Sequence, residues 1–343
     1  MSKYMTNKQI QNALNGKTIL VTGGTGSFGK NFVRFLFAHF KPKKVIVFSR
    51  DEWKQSCMEK EIAKDNLRFF IGDVRDLARL QRAFDGVDIV VHAAALKQVP
   101  TLEYNPFEAV KTNILGSQNV IDAAIDQGVE KVLLISTDKA VQPINLYGST
   151  KLCAEKLFVA GNSYAQGKAT KFSCVRYGNV IGSRGSIVEI LLKSPKADKV
   201  QVTDERMTRF WITLEQSFQL VLFALNRMAG GEIFVPKIPS MKVADLFDVL
   251  APRAAKENIG IRPGEKLHEV LLTSEEARHA VELENYFIIL PEHREIFDIE
   301  QRFGGWLKKG KKLPKGFNFS SNSNEEWLTK ESMKKLIEQL KIT

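Results

Sequence analysis

Short, uninterrupted apolar runs recur along the first half of this chain, separated by longer segments whose apolar residues lie at helical spacing. Runs of about four to eight apolar residues are typical of strands buried on both faces of a sheet, and repeated strand–helix alternation is typical of parallel sheets. We therefore expect an α/β protein with a doubly wound parallel sheet and right-handed crossovers. The predicted strands are Lys17–Thr22, Lys44–Phe48, Leu67–Ile71, Val87–Val91, Val132–Ile135 and Lys171–Tyr177.

The pattern changes after Tyr177. Gly178–Gly185 is punctuated by glycine, and Thr203–Trp211 mixes charged with aromatic residues, as expected of a lobe that binds a substrate. A helix predicted over Thr213–Met228 and a strand predicted over Gly231–Val235 return the chain to the sheet. We therefore predict a dinucleotide-binding domain over residues 1–178 and 211–240, and a smaller substrate-binding lobe over residues 179–210 and 241–343.

Two segments near the C-terminus carry distinct patterns. Ile261–Glu269 predicts a turn followed by a helix. The one dense basic run, Lys308–Lys315, is interrupted by Gly310 and Pro314, and it predicts a solvated loop rather than a nucleic-acid-binding stripe. A polar tail with Ser320, Ser321, Asn322 and Asn324 follows.

Composition restricts the class of protein. With 343 residues and 44% hydrophobic content, the chain can bury a large core. No run approaches the ~20 apolar residues of a membrane span, and Met1–Asn15 lacks the apolar core of a signal peptide, so we expect a cytoplasmic protein without a membrane partner. Cys57, Cys153 and Cys174 have neither an even count nor a metal-ligand spacing, which predicts reduced thiols and no metal site.

The net charge of +11 suits nucleic acid, a membrane surface or small polyanions. Most of the excess charge is spread along the chain rather than gathered in one stripe. We therefore expect no nucleic-acid partner, and assign several cations to small polyanionic ligands.

A glycine-rich turn joins the first predicted strand to the first predicted helix. Its glycines have the spacing G-x-x-G-x-x-G, which permits a tight turn, close approach of the backbone to a pyrophosphate, and close helix packing. The phosphate would lie at the helix N-terminus. This order of elements predicts a Rossmann-like dinucleotide site, in preference to a structural loop, and its candidate residues are Gly23, Thr25, Gly26, Ser27, Phe28 and Gly29.

The end of the second strand indicates which dinucleotide binds. An acidic residue there hydrogen-bonds the ribose of NAD, whereas an arginine accommodates the 2′-phosphate of NADP. Ser49 and Arg50 occupy this place, with Asp51 next and Lys54 four residues after Arg50, so we predict NADP. The remaining candidate cofactor residues are Asp73 and Val74 near the adenine, Ala93, Ala94 and Ala95 where the cofactor would pass the backbone, and Thr112. The alanines would equally suit tight packing of a helix on the sheet.

Candidate catalytic residues follow the fifth predicted strand. Ser136, Thr137, Asp138 and Lys139 fall at its carboxyl end, where open α/β sheets bind ligands. A helix predicted to begin near Tyr147 puts Tyr147 and Lys151 on one face, four residues apart. A phenol beside a cation is a candidate base, because a nearby ammonium lowers the phenol pKa from about 10. The alternative is two unrelated surface residues.

Together these motifs resemble the extended short-chain dehydrogenase/reductase family, and Thr137-Asp138-Lys139 resembles the signature of the inverting UDP-N-acetylglucosamine 4,6-dehydratases of pseudaminic acid biosynthesis. Retaining dehydratases have Asp-Glu where this chain has Asp-Lys. The segments that carry the same resemblance are Ser49–Glu52, Phe70–Asp76, His92–Lys97, Arg206–Trp211 and Ile261–Glu269. This chain departs from the family at Gln98, where histidine is usual, and in the shortened segment from Ile187 to Thr203.

The resemblance implies a role for each catalytic candidate. Tyr147 is the base for oxidation at C4 of the sugar, Lys151 holds the nicotinamide ribose and lowers the tyrosine pKa, and Thr137, with Ser136 as the alternative, orients the substrate. Lys139 removes the C5 proton, which requires its pKa to fall toward ~7 to 8. We expect burial beside Lys151 and the nicotinamide to cause that fall. Asp138 must stay protonated to act as the acid at O6.

The substrate implied is UDP-N-acetylglucosamine, and the assembly implied is a homo-oligomer. Candidate substrate residues are Lys97, Asn179, Arg206, Arg262 and Glu265, of which the arginines suit a diphosphate because a guanidinium fork matches its oxygens. Each could instead be an ordinary surface residue. The alternative functions are a retaining dehydratase, a 4-epimerase, a non-catalytic dinucleotide-binding regulator and, least favoured, a nucleic-acid-binding protein.

Overall fold

The computed structural model of the chain describes residues 11, 13–183, 185–193, 198–293 and 297–342. Parts of the N-terminal stretch, of the glycine-punctuated segment and of the predicted lobe lie outside the described residues, namely 1–10, 12, 184, 194–197, 294–296 and 343. The strands are β1 Thr18–Thr22, β2 Lys44–Ser49, β3 Leu67–Ile71, β4 Ile89–His92, β5 Lys131–Ile135, β6 Lys171–Val175, β7 Asn179–Val180, β8 Lys199–Val202, β9 Thr208–Ile212, β10 Ile233–Pro236, β11 Ser240–Lys242, β12 Ala255–Asn258, β13 Val270–Leu272, β14 Ala280–Glu282, β15 Tyr286–Ile289, β16 Lys311–Lys312 and β17 Phe319–Ser320. The helices are α1 Ser27–His39, α2 Glu52–Ile62, α3 Leu77–Phe84, α4 Val99–Tyr104, α5 Pro106–Ala109, α6 Gly116–Asp126, α7 Leu146–Tyr164, α8 Ile187–Lys193, α9 Leu214–Arg227, α10 Val243–Leu250, α11 Ser274–Ala277, α12 Ile299–Lys309 and α13 Lys330–Ile342, with a π-helical segment at Val110–Leu115 and a 3₁₀ turn at Asp138–Ala140.

A ten-stranded sheet forms the centre of the molecule, in the order β16-β14-β15-β10-β6-β5-β4-β1-β2-β3. The seven strands from β10 to β3 in that order are parallel, and β15, β14 and β16 add antiparallel pairs at one side. The order of parallel strands reverses between β1 and β4, and open α/β sheets bind ligands at such a reversal. The predicted fold class is confirmed.

The observed elements follow the predicted ones closely. β4 begins two residues later than predicted, because the N–H of Val87 bonds to the Phe84 carbonyl in the preceding turn. The helix predicted within Ile261–Glu269 is wrong: the turn is present at Pro263–Gly264, but irregular chain with a bend at Leu267–His268 follows it. Its carbonyl groups are engaged elsewhere, since the Leu267 carbonyl accepts from the N–H of Thr208 and from Arg209.

The basic run is also more ordered than predicted. Instead of a solvated loop, it ends helix α12 and continues as β16, a short strand at the outer edge of the central sheet. Both lysines of β16 are exposed. The edge of the sheet therefore presents two ammonium groups to solvent.

The second half of the chain adds three small sheets, β11-β9-β7, β12-β8 and β13-β17. β14 to β16, which lie within the segment assigned to the substrate lobe, pair with the central sheet. The division into two units stays a prediction. Among the described residues, no helix is long and apolar enough to cross a membrane.

A buried arginine ties three parts of the fold together behind α7. Arg176, just beyond β6, is 1% exposed and uses both the Nε and Nη groups. It bonds bidentately to Glu155 on α7 at 3.1 and 2.6 Å and to Glu276 on α11 at 3.0 and 2.9 Å, and it donates to the Leu271 carbonyl at 3.0 Å. All five guanidinium N–H groups are thus used. The two carboxylates balance a charge that would otherwise be costly to bury.

We predict that Arg176→Met lowers the free energy of unfolding by about 3–5 kcal/mol, because it leaves Glu155 buried without its cation. Reversible urea unfolding of the native and variant proteins measures the difference. Arg206→Met is the matched control, since the Arg206 side chain is 73% exposed and its solvent-screened pair with Asp204 should contribute little to stability. Equal effects of the two substitutions would contradict the prediction.

Candidate functional site

The N-terminus of α7 lies directly against the turn that carries Asp138 and Lys139. A Cβ atom added at Gly148 would stand 2.1 Å from the Lys139 carbonyl oxygen, so only glycine allows this approach. Asn145 caps the helix by accepting from the N–H of Gly148 at 2.8 Å, and its side-chain amide donates to the Gly264 carbonyl at 2.8 Å. Tyr147 is thereby held between the β5 edge and the Pro263–Gly264 turn.

A single cleft of about 740 Å³ runs along this edge of the sheet. It brings together residues that are far apart in the sequence and that were predicted for three different roles. The predicted site residues that line it are Gly23, Gly26, Ser27, Phe28, Gly29, Ala93, Ala95, Lys97, Thr137, Lys139, Tyr147, Lys151, Asn179, Arg262 and Glu265. The cofactor, catalytic and substrate candidates therefore share one continuous space.

Asp138 lies beneath the cleft surface as the fully buried partner of Lys139. The Lys139 ammonium donates to Asp138 Oδ1 at 3.1 Å and to Asn179 Oδ1 at 3.3 Å. The Thr137 hydroxyl donates to the same Asp138 oxygen at 3.0 Å, while Asp138 Oδ2 is buried without a hydrogen-bond partner in the described structure. The Lys139 side chain remains 28% exposed to the cleft. This arrangement presents an amine to a ligand and backs it with a carboxylate.

The expected lowering of the Lys139 pKa is wrong for this structure. Burial lowers the pKa of Lys139, but Asp138 and Glu269 together outweigh it and hold the pKa above its usual value. Glu269 Oε1 lies 3.7 Å from Lys139 Nζ. The neighbours of Lys139 expected from the sequence were Lys151 and a nicotinamide, whereas the charged neighbours that raise its pKa are carboxylates.

The expected lowering of the Tyr147 pKa is also wrong here. Burial raises the pKa of Tyr147 to about 12, with opposition from the Lys139 charge and from a hydrogen bond with Thr137. Lys151 itself is shifted the other way: burial lowers its pKa to about 8, although Glu155 partly opposes the shift. In the protein alone, Tyr147 is therefore a protonated phenol. It becomes a base only when added positive charge in the cleft lowers its pKa.

The hydroxyl of Ser136, the alternative to Thr137, is already engaged within the protein. That hydroxyl donates to Glu155, within the buried network of Arg176. Both residues line the cleft, but the hydroxyl of Thr137 lies beside the catalytic candidates and donates to Asp138.

The glycine turn has the shape that a pyrophosphate needs. Gly23 has φ +63°, and an added Cβ would lie 2.8 Å from the Cα of Ala94. At Gly29 an added Cβ would lie 2.6 Å from the Cα of Gly24. Any side chain at these positions would fill the cradle or push helix α1 away, so the residues present fit a dinucleotide.

The predicted 2′-phosphate residues lie outside the cleft lining. Arg50 is exposed, with Nη1 3.7 Å from Asp73 Oδ2, and Asp73 is bound more closely by Arg75. Asp51 caps α2 and pairs with Lys54, while Ser49 Oγ accepts from Gln55. Thr25, Val74 and Thr112 are buried, and Ala94 is partly buried beside the glycine turn. Arg50 is thus at the surface, with one acidic neighbour that an incoming phosphate would have to displace.

Among the residues predicted to bind the substrate, one does not line the cleft, whereas three residues that were not predicted do line it. Arg206 pairs with Asp204 at 2.7 Å, is 73% exposed, and does not line the cleft. Arg209, Lys266 and Glu269 do line it. The signal for Arg209 was available in the alternation of a strand, because Arg209 and Trp211 both line the cleft from β9, and Met207, directly before β9, lines it as well.

Glu269 could not be singled out from local pattern. It is 3% exposed and lies between Lys139, Arg209 and Lys266, at 3.7, 3.8 and 3.6 Å. Burial raises the pKa of Glu269, as does the charge of Asp138. Among the described residues, no group of three or more His, Cys, Asp or Glu side chains could hold a metal ion.

Comparison with known proteins supports a family assignment. Residues 19–291 match a family described as polysaccharide biosynthesis proteins. The chain is 50% identical, over 94% of its length and 98% of the relative's, to the UDP-N-acetylglucosamine 4,6-dehydratase (inverting) of Campylobacter jejuni subsp. jejuni serotype O:23/36. It is also 40% identical to the UDP-glucose 4-epimerase of Rickettsia felis, over 94% of this chain and 95% of that one.

A solved structure extends the comparison to the fold. Pen from Bacillus thuringiensis has a TM-score of 0.86 and 38% sequence identity, and the match covers 96% of this chain and 99% of that one. The family match spans more than half of the chain, and the relatives match nearly all of it. With its reversed strand order, glycine cradle and Tyr147–Lys151 pair on one cleft, the chain belongs to the polysaccharide biosynthesis protein family and has the extended short-chain dehydrogenase/reductase fold.

Proposed function

We propose that this protein is a UDP-N-acetylglucosamine 4,6-dehydratase that inverts C5, a hydro-lyase that forms a UDP-2-acetamido-2,6-dideoxy-hexos-4-ulose. The observation that carries the proposal is the Lys139–Asp138 hydrogen bond of 3.1 Å at the wall of the cleft that also holds Tyr147. Elimination across C5 and C6 needs a base and an acid next to each other, and oxidation at C4 needs a second base. The 50% identical relative supports the same substrate.

The proposed cofactor is NADP, a nicotinamide dinucleotide seated on the glycine cradle. When bound, it accepts a hydride from the sugar C4 and returns it to C6, so it is regenerated in each turnover. Gly23, Gly26 and Gly29 line the part of the cleft nearest β1 and would hold its pyrophosphate at the start of α1. Arg50 is the proposed partner of the 2′-phosphate.

Tyr147 accepts the proton of the O4 hydroxyl. Its pKa of about 12 in the protein alone must fall for this step. Lys151 lies one helical turn away on α7, and positive charge on the nicotinamide ring and on Lys151 both favour the phenolate. The resulting 4-ketone acidifies the hydrogen on C5.

Lys139 then takes the C5 proton, and Asp138 gives a proton to O6, which leaves as water. These two roles are linked, because a protonated Asp138 no longer carries the charge that raises the Lys139 pKa. Asp138 as the acid therefore makes Lys139 available as the base. Protonation of C5 from the opposite face inverts that centre.

Lys97, Asn179, Arg262 and Glu265 are the proposed substrate contacts, since all four line the cleft. Arg206 is a weaker candidate for a substrate contact, because it is an exposed cation that does not line the cleft. The predicted homo-oligomer, cytoplasmic location, absence of a nucleic-acid partner and division into two units stay predictions.

A 4-epimerase is the second candidate, favoured by the 40% identical relative from Rickettsia felis. An epimerase returns its hydride to C4 and has no use for a base at C5. The buried Asp138 beside Lys139 favours the dehydratase.

The first prediction for this function is that the purified protein, with bound NADP and without added reductant, converts UDP-N-acetylglucosamine to a keto sugar that lacks the 6-hydroxyl. In deuterated water, the product should carry deuterium at C5 with the inverted configuration. NMR of the product measures both. A product that keeps its 6-hydroxyl would indicate the epimerase, and one that keeps the C5 configuration would indicate a retaining dehydratase.

Lys139→Met should separate the two half-reactions, because methionine keeps the bulk of lysine but accepts no proton. We expect dehydration and C5 exchange to fall by about 10²- to 10⁴-fold, while oxidation at C4 still produces the reduced-nicotinamide absorbance. Absorbance and C5 deuterium incorporation are followed in single turnovers.

Tyr147→Phe is the matched comparison, because it removes the base of the earlier step. Reduced-nicotinamide absorbance should not appear with this variant, although the substrate still binds. C5 exchange in Lys139→Met at the native rate would rule out Lys139 as the base.

Arg50→Asp should weaken NADP binding far more than NAD binding, because it replaces the proposed 2′-phosphate partner with a repelling charge. Calorimetric titration of each dinucleotide measures the two affinities. Lys54→Met is a suitable comparison, since Lys54 is occupied by its pair with Asp51. Equal loss of both dinucleotides in Arg50→Asp would remove Arg50 as the discriminating residue.

A further inference from the structure

Glu269 is a buried carboxylate that the proposed chemistry has not used. It lines the cleft and is 3% exposed. Its Oε1 lies 3.7 Å from Lys139 Nζ and 3.8 Å from Arg209 Nε, and its Oε2, which has no hydrogen-bond partner in the described structure, lies 3.6 Å from Lys266 Nζ. One carboxylate thus faces three cations at the floor of the cleft.

The other cations are held by contacts of their own. Arg209 donates to the backbone carbonyls of Thr208, Lys266 and Leu267, and Lys266 donates to the Val141 carbonyl. Lys139 is the cation whose remaining partners are side chains, Asp138 and Asn179. Of the three cations, Lys139 is therefore the one whose pKa Glu269 can affect without breaking a hydrogen bond to a backbone carbonyl.

The polar tail noted in the sequence fixes the position of Glu269. Its N–H donates to Ser321 Oγ at 2.9 Å, and its carbonyl accepts from the Ser321 N–H at 2.8 Å. Ser321 Oγ is in turn 2.7 Å from the hydroxyl of Thr208 on β9. Because its backbone is held on both sides, the carboxylate cannot easily move away from the amine it faces.

We propose that Glu269 is the counter-ion of Lys139, a positioning residue that stabilises the ammonium formed when Lys139 takes the C5 proton. The inference rests on the proposed role of Lys139 as the base. In that step the C5–H bond breaks, an N–H bond forms on Lys139, and the electron pair passes into the 4-ketone before Asp138 protonates the departing O6. With Asp138 as the proposed acid at O6, Glu269 is the other carboxylate beside the new ammonium.

Every charged or titratable group that faces the amine enters this balance. Asp138 and Glu269 raise the pKa of Lys139, Arg209 opposes them, and Lys266 and Tyr147 lie in the same cluster. Removing the charge of Glu269 leaves Arg209 and Lys266 facing Lys139 with one carboxylate fewer. The amine then loses its proton at lower pH and is a weaker base.

The test is the pH dependence of C5 deuterium incorporation in single turnovers of the NADP-bound enzyme with UDP-N-acetylglucosamine. In Glu269→Gln we expect the rising limb of the profile to move to lower pH by about one unit or more, and the plateau rate to fall by about 3- to 30-fold, since a weaker base removes the proton more slowly. Glu269→Asp keeps the charge and should restore the position of the limb, even where its shorter side chain lowers the rate.

Glu282→Gln is the matched control, because Glu282 also pairs with a lysine, Lys237, but does not line the cleft. It should leave the limb at its native pH. An unmoved limb in Glu269→Gln would overturn the inference, as would an equal shift in Glu282→Gln. Lys139→Met distinguishes this failure from failure of the proposed function: if exchange is lost in Lys139→Met while the limb of Glu269→Gln stays in place, Lys139 remains the base and Glu269 is not its counter-ion.

Discussion

The approach of α7 to the turn after β5 is the contact on which the site depends. Gly148 allows the helix to lie against the Lys139 carbonyl, where any Cβ would collide. This close backbone contact brings Tyr147 and Lys151 on the helix to the same cleft as Thr137, Asp138 and Lys139 on the turn. At the contact itself no long side chain has to be ordered, which limits the entropy lost in forming it.

Behind that contact, the helix is held by charge. Glu155 lies two turns along α7 from Gly148, and its pairing with Arg176 joins the helix to β6 and to Glu276. Because this ion pair is buried, loss of either charge would leave the other without its partner and destabilise the fold. The same helix therefore carries a close steric contact at its start and a bidentate ionic contact in its middle, and the two together leave little freedom for Tyr147 to shift relative to the sheet.

The features predicted well from sequence are those set by local pattern. Apolar runs located the strands, and the glycine spacing located a turn whose φ of +63° at Gly23 few other residues would adopt. The features predicted poorly depend on residues distant in sequence. The pKa of Lys139 was expected to fall because burial beside Lys151, on the helix that follows, and beside a nicotinamide was expected. Glu269, more than a hundred positions away in the sequence, was not expected. Likewise, Arg206 and Arg209 are the same residue type, and the alternation along β9 selects Arg209 for the cleft once the bounds of β9 are known.

The lysines of β16 have a consequence for how the molecule behaves at high concentration. A ten-stranded sheet ends in unpaired backbone groups, and such an edge can accept a strand from another chain. Here the outermost strand is only Lys311–Lys312, with both side chains exposed. A second copy approaching edge to edge would meet like charge along a strand of only two residues, so the basic run, which the sequence predicts to be a solvated loop, disfavours pairing at this edge of the sheet.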